Sequence, residues 1–209
     1  MHVIGTSGHV DHGKSSLVSI LTGIDPDRLN EEKSRGMTID LGFSWLKLSN
    51  GNEVSIVDVP GHQKFIDNMV AGIGCIDLAV LVVAADESVM PQTIEHISIL
   101  DLLQVKLGII VITKTDLADK NWLELVQGDI LDVTKGTFLE KAPIVQVSSH
   151  NLDGINLLKS IIEEELSKVE PITNLDRPRV FIDRSFSMSG FGAVVTGTLV
   201  DGDIKIGDV

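Results

Sequence analysis

The chain has little cysteine, little positive charge and no long apolar run, and each shortage excludes something. A single cysteine in 209 residues, Cys75, rules out an internal disulfide and fits a reducing compartment. Lysine and arginine number 17 against 30 aspartates and glutamates, a formal charge of −13. A balance this acidic exerts no general electrostatic pull on nucleic acid. Any RNA contact must come from a local patch or from outside this chain. No apolar stretch approaches the ~20 residues that a membrane helix needs. Met1-His2 leads straight into a strand pattern, not a signal peptide. These absences point to a soluble, cytoplasmic protein with no membrane partner, and a monomer is expected. Internal repeats and low-complexity tracts are missing too. Against these absences stands a hydrophobic content of 43%, enough for a real core. The length fits one large domain, or one domain plus part of another.

Short apolar runs alternate with helical patterns along most of the chain. The runs predict strands over Val3–Thr6, Leu41–Leu48, Val54–Val59, Leu78–Ala84, Leu107–Thr113 and Ile144–Val147. The patterns between them predict helices over Lys14–Leu21, a segment after His62 to about Ile73, Gln92–Leu103, Trp122–Val133 and Ile155–Leu166. Such alternation gives a mostly parallel sheet with helices on both faces. The second strand is the exception. Ser49-Asn50-Gly51-Asn52 joins it to the third, and Asn-Gly is a hairpin signal, so this strand is expected to lie antiparallel at an edge. Pro91 suits the first turn of its helix, and Asp153 is a candidate cap for the final one. Lys168 to Arg177 reads as a linker containing Pro171. After it, Val180–Ile182, Gly190–Gly192, Val194–Thr198 and Ile204–Val209 are β-rich and punctuated by glycine. The expected organisation is an α/β domain over residues 1–167, a linker over 168–177, and the start of an all-β module over 178–209. The last segment is shorter than a typical domain of ~50 residues or more, so the chain reads as part of a longer protein.

Gly8-His9-Val10-Asp11-His12-Gly13-Lys14-Ser15 fits G-x-x-x-x-G-K-[ST], a phosphate-binding loop, and it stands between a strand and a helix. In that setting the backbone N–H groups of Asp11, His12, Gly13, Lys14, Ser15 and Ser16 wrap a phosphate at the helix N-terminus. Lys14 reaches the β- and γ-phosphate oxygens and the Ser15 hydroxyl is placed for Mg²⁺. Asp58-Val59-Pro60-Gly61-His62 follows the third strand. Asp58 is placed to hold Mg²⁺ directly or through water. Gly61 can offer its N–H to a γ-phosphate, and His62 can orient an attacking water. Thr38, in Arg35-Gly36-Met37-Thr38-Ile39-Asp40, is a further Mg²⁺ candidate that engages only when a triphosphate is bound. Thr113-Lys114-Thr115-Asp116 ends the fifth strand. Asp116 can accept from two guanine N–H groups, a pair adenine cannot offer, and the Lys114 stem can lie on the base. Ser148-Ser149-His150 ends the sixth strand, where a backbone N–H can meet guanine O6. Each box alone has a plainer reading as a turn or a surface residue. In this order, each at a strand's C-terminal end, they mark a guanine-nucleotide site. His9 and His12 flank Asp11 but lie inside the phosphate loop, where the backbone must face an anion, which argues against zinc. Cys75 reads as a small buried residue, and Met69, Met90 and Met188 as core or surface filler.

Together these boxes resemble the translational GTPases related to elongation factor Tu, and Gly-His-Val-Asp-His-Gly-Lys and Asp-Val-Pro-Gly-His are specific to that group. The run Phe186 to Thr198 resembles the opening of the group's second-domain barrel. A finer resemblance is to the selenocysteine-specific, SelB-type branch. It rests on Thr22–Asp25, Asp27–Leu29, Glu31–Lys33, Arg35–Phe43 and Ile182–Phe186, the short stretch before Thr38, and Thr113 where the common guanine box has asparagine. The resemblance implies binding of GTP and GDP with Mg²⁺ and ribosome-stimulated hydrolysis. It also implies delivery of selenocysteyl-tRNA, and reading of an mRNA selenocysteine-insertion hairpin through a C-terminal region absent here. It makes Asp183 and Arg184 candidates for the aminoacyl pocket, since an arginine suits an ionised selenol; a surface ion pair is the alternative for Arg184. Three other readings stay open: another translational GTPase, an ATP-driven phosphotransferase on the same loop, and a nucleotide-binding remnant that carries nothing.

Overall fold

A computed structural model describes residues 2–26, 38–62, 65, 69, 76–169 and 175–208, with the main chain alone at 183 and 184. It divides into two compact units, Met1–Lys168 and Val169–Val209. The helix expected after His62, Cys75, the segment 27–37 and Pro171 lie outside the described residues.

In the first unit six strands form one sheet: β1 (Val3–Ser7), β2 (Gly42–Lys47), β3 (Glu53–Asp58), β4 (Leu78–Ala84), β5 (Gly108–Thr113) and β6 (Ile144–Gln146), in the order β2-β3-β1-β4-β5-β6. All neighbours are parallel except β2 and β3, whose antiparallel register pairs Gly42 with Asp58 and Lys47 with Glu53. The turn between them is closed by Gly51 N–H donating to Leu48 O at 3.0 Å. Gly51 carries the only positive φ in that loop, 85°, the pattern of a type I turn followed by a left-handed residue. The edge strand β2 alternates buried Ser44 and Leu46 with exposed Trp45 and Lys47. The inner strands β4 and β5 are buried at every residue, which is why they read as unbroken apolar runs.

The described helices are α1 (Lys14–Thr22), α2 (Pro91–Leu102), α3 (Lys120–Thr134) and α4 (Ile155–Ser167). Their ends differ from the sequence expectations by a residue or two, as fraying ends do. Pro91 is the first residue of α2, where its missing N–H costs nothing. Asp119 caps α3 by accepting from Trp122 N–H at 2.8 Å. Asp153 does not cap α4. That position falls to Gly154, in the left-handed region with φ 74° and no side-chain cap bond. Asp153 instead offers its carbonyl to Ser148 N–H at 3.1 Å. On one side of the sheet Val3, Val57, Ala79, Leu100 and Met69 pack together. A second cluster joins Leu81, Val83, Ile110 and Ile112 to Ile97 of α2 and to Val126 and Ile130 of α3. Each such side chain contributes roughly 1.5–3 kcal/mol by leaving water.

Among the described residues the second unit holds two antiparallel strands, β7 (Arg179–Met188) and β8 (Gly192–Val200). The register shifts between Ile182 and Arg184, so Asp183 is the extra residue of a bulge. The expectation of β structure at Ile204–Val209 is not met over 204–208. Lys205 N–H donates to Asp208 Oδ2 at 2.7 Å and Asp208 N–H to Lys205 O at 3.1 Å, curling the segment into a turn.

Candidate functional site

Strand β1 is flanked by β3 on one side and β4 on the other. The chain therefore leaves β1 at the point where strand order reverses, the crevice where open α/β sheets take ligands. Residues 8–13 occupy it. Asp11 has φ 61° and Gly13 has φ 82°, so the backbone turns back on itself before α1 begins. Gly13, the N-cap of α1, makes no side-chain cap bond, and the positive end of the helix dipole faces the loop, where an anion is favoured. Lys14 is 5% exposed, and its Nζ reaches back over the loop to donate to His9 O at 2.6 Å.

Two hydroxyl side chains meet next to it, and a buried carboxylate ends the neighbouring strand β3. Ser15 Oγ and Thr38 Oγ1 are hydrogen-bonded at 2.7 Å although 23 residues separate them in sequence. Asp58 is fully buried at the end of β3, and its Oδ1 accepts from Thr6 Oγ1 at 2.6 Å. Val59 N–H donates to that same threonine oxygen at 3.1 Å, so Thr6 fixes where the carboxylate stands. Gly61 is pressed against the phosphate loop. A Cβ there would lie 2.7 Å from Val10 N and 2.9 Å from His9 C, and would strike the Lys14 ammonium. Only glycine fits. His62 follows, half-buried, its ring 6.0 Å from that of Phe65.

Two histidines of the loop meet edge to face with centroids 5.0 Å apart, His9 and His12. His12 is fully buried, with Nδ1 3.4 Å from Val82 O and Nε2 3.5 Å from a Glu87 carboxylate oxygen. Burial pushes its pKa down to about 4, with His9 adding to the shift, so the ring is neutral near pH 7.

The end of the site built from β5 and β6 is more open. Thr113 is buried, and its hydroxyl donates to His12 O at 2.7 Å, tying β5 to the phosphate loop. Lys114 adopts φ 54° and pairs with Asp86 at 3.0 Å, both partly exposed. Asp116 is exposed in a short 3-10 turn over Thr115–Leu117. It accepts from Ser148 Oγ at 2.5 Å, and that bond holds its carboxyl below the usual range and therefore ionised. Ser149 shares a shallow cavity of about 430 Å³ with Ser15, Ser16, Ser19, Ile20 and Asp25.

The structure thus joins Ser15 to Thr38, Gly61 and Thr113 to the phosphate loop, Asp116 to Ser148, and Ser149 to a cavity shared with Ser15 and Ser16, while Asp58 is held by Thr6 and Lys114 by Asp86. The side chains of Asp183 and Arg184 lie outside the described residues. The sequence reading did not identify Thr6, Asp86, Gln92 or His96, all of which touch site residues. Each belongs to an otherwise ordinary strand, turn or helix, and only its partner marks it.

Residues 1–168 match the family described as elongation factor Tu GTP binding domain. The chain is 48% identical over 206 residues to a selenocysteine-specific elongation factor of Desulfomicrobium baculatum, covering 99% of this chain and 32% of that protein. It superposes on the crystal structure of a bacterial selenocysteine-specific elongation factor with TM-score 0.86 at 40% identity, covering 100% of this chain and 36% of that one. It also superposes on elongation factor SelB from Methanococcus maripaludis, solved in complex with the GTP analogue GppNHp, with TM-score 0.83 at 35% identity, covering 99% and 43%. The chain spans about a third of the length of the selenocysteine-specific relatives it matches. It belongs to the elongation factor Tu GTP-binding domain family, and its first unit is a GTP-binding domain of the translational GTPase type.

Proposed function

We propose that this chain is the GTP-hydrolysing part of a selenocysteine-specific elongation factor that carries selenocysteyl-tRNA to the ribosome. The observation that carries the catalytic reading is the meeting of Ser15 Oγ and Thr38 Oγ1 at 2.7 Å, beside a loop whose lysine already reaches over it. Two hydroxyls and the buried Asp58 carboxylate are hard oxygen donors, a set that suits Mg²⁺. Ser15 and Thr38 would hold the ion, with Asp58 directly or through water. When bound, it neutralises charge on the β- and γ-phosphate oxygens.

The residues of the chain divide the remaining work. Amides from Asp11 to Ser16 take the phosphate oxygens at the α1 N-terminus. The Lys14 ammonium exchanges its carbonyl partner His9 O for phosphate oxygens, a stronger charge-assisted bond. Gly61 presents its N–H to the γ-phosphate from a position no other residue can occupy. His62 orients the water that attacks the γ-phosphorus; the bond to the β–γ bridging oxygen breaks, giving GDP and phosphate. Asp116 accepts from guanine, the Lys114 stem covers the base, and Ser148 and Ser149 frame its O6 edge. Thr113 acts through the loop it anchors. GTP-bound Thr38 then organises the surface that takes selenocysteyl-tRNA, with Asp183 and Arg184 near the selenol. The rest of the barrel, the ribosome contacts and the reader of the mRNA selenocysteine-insertion hairpin belong to the longer protein. The identity to selenocysteine-specific factors along both units supports this reading over other translational GTPases.

The test uses the full-length protein. His62→Ala is expected to leave GTP affinity within a few-fold and to cut ribosome-stimulated hydrolysis strongly; unchanged hydrolysis removes His62 from the role. Asp116→Asn is expected to weaken guanine nucleotide far more than Lys106→Ala, and equal effects would discard the guanine-box assignment. Protection of selenocysteyl-tRNA but not seryl-tRNA from hydrolysis checks the cargo. Equal protection of both would favour a general translational GTPase.

A further inference from the structure

The face of α2 that meets the phosphate loop carries two acceptors one helical turn apart. His96 Nδ1 accepts from Gly8 N–H at 2.9 Å, and Gln92 Oε1 accepts from Val10 N–H at a longer 3.5 Å. Positions four apart share a helix face, so one rigid element holds alternate amides of the loop's entry. Gly8 has no room to withdraw. Its φ is 125°, and a Cβ on it would collide with Val82 O of β4. The loop therefore starts clamped between strand and helix.

We propose that His96, assisted by Gln92, is a positioning residue that fixes the phosphate loop for nucleotide retention. The inference rests on reading that loop as the nucleotide site. A histidine that merely filled space would not need to aim a ring nitrogen at a backbone amide. The bond defines the tautomer: Nδ1 is the acceptor and the proton sits on Nε2. The ring is 1% exposed, and burial lowers its pKa to about 3, so it remains an acceptor at neutral pH. Without it, Gly8 N–H would be buried and unsatisfied, which is costly. The amides at 8 and 10 are committed to α2. Those from Asp11 onward are the ones that the nucleotide reading assigns to phosphate, and their placement depends on a fixed start.

Substitution separates the acceptor from the bulk. An asparagine places Oδ1 close to where the histidine has Nδ1, whereas a leucine supplies volume and no acceptor. In the full-length protein carrying fluorescent mant-GDP, His96→Leu is expected to speed nucleotide release ~10-fold, the equivalent of one lost buried hydrogen bond. His96→Asn is expected within ~3-fold of the parent, and Gln92→Leu between the two, since its bond is longer. Equal release from the leucine and asparagine variants would reduce His96 to a packing residue. Should the leucine variant not fold, the unmodified protein decides: ¹⁵N NMR is expected to show a through-hydrogen-bond coupling between Gly8 N and His96 Nδ1. A ring protonated on Nδ1 would overturn the proposal. If the parent does not retain mant-GDP at all, the nucleotide reading itself fails and takes this one with it. A parent that retains it, with variants that behave alike, sinks the brace alone.

Discussion

Strands β4 and β8 are written in nearly the same alphabet and meet opposite fates. Leu-Ala-Val-Leu-Val-Val-Ala in β4 is buried at all seven residues. Gly-Ala-Val-Val-Thr-Gly-Thr-Leu-Val in β8 has no buried residue, with Val195 48% and Leu199 43% exposed. The difference lies in what surrounds them. β4 has a parallel neighbour on each edge and packed side chains from helices. β8 has one antiparallel partner among the described residues. A two-stranded sheet cannot cover its own apolar side chains and is marginal in water. Apolar composition supplies the tendency to be buried; neighbours decide whether burial happens.

The largest expected effect comes from separating the two units. Residues 1–168 should unfold cooperatively and keep GTP binding, while a 169–209 peptide should show no fixed structure by circular dichroism or NMR. Cooperative melting of that peptide would break the comparison. Within the intact chain, Leu81→Ala in β4 should cost about 2–5 kcal/mol, and Val195→Ala in β8 no more than about 0.5 kcal/mol. Urea titration distinguishes these, and similar losses would mean β8 is better packed than its exposure indicates.

Acid should also act unequally, because residues 169–209 contain no histidine. His12 and His96 have folded pKa values of about 4 and about 3, both lowered from 6.5 mainly by burial. Below pH 6.5 the unfolded chain binds protons that the folded one does not. Stability is therefore intact above 6.5 and declines as pH falls toward 4, by up to ~1.4 kcal/mol per pH unit for each ring. The melting temperature of 1–168 measured from pH 7.5 to 4.5 should fall, and His96→Asn should shallow that fall. A pH-independent melt would contradict the burial of both rings. The smallest test sharpens the comparison at two turns. Gly51 and Gly190 have φ of 85° and 84° and open space around an added Cβ. Gly51→Ala should cost about 1 kcal/mol in the unfolding of the first unit, whereas Gly190→Ala should leave that transition unchanged.

Much of the first unit is legible in the sequence alone. Periodicity located its six strands, and the Asn50-Gly51 signal gave the antiparallel edge. The phosphate-loop spacing and the boxes after β3, β5 and β6 mark the proposed site, because phosphate and guanine chemistry demand particular side chains at strand ends. Local signals mislead where a competing partner settles the choice. Asp153 looked like a cap, but Gly154 takes that place, where a Cβ would run into Gln146 O. Ile204 and Ile206 have the pattern of strand residues, but Lys205 and Asp208 close a turn that takes in Ile206 and ends any extended run after Ile204.

What the sequence determined by itself was therefore the set of parts: an acidic chain, a mostly parallel sheet, and a loop and carboxylates suited to a guanine nucleotide. What only the tertiary structure decided was which distant residues became partners. Thr38 meets Ser15, Thr6 fixes Asp58, Thr113 anchors His12, and His96 holds Gly8. Each pair joins residues between 23 and 101 positions apart. Periodicity and motif spacing are local signals and carry no information about such pairs. Packing the elements around β1 brings these polar groups together, and once buried each must find a partner or bear the cost of lost hydration.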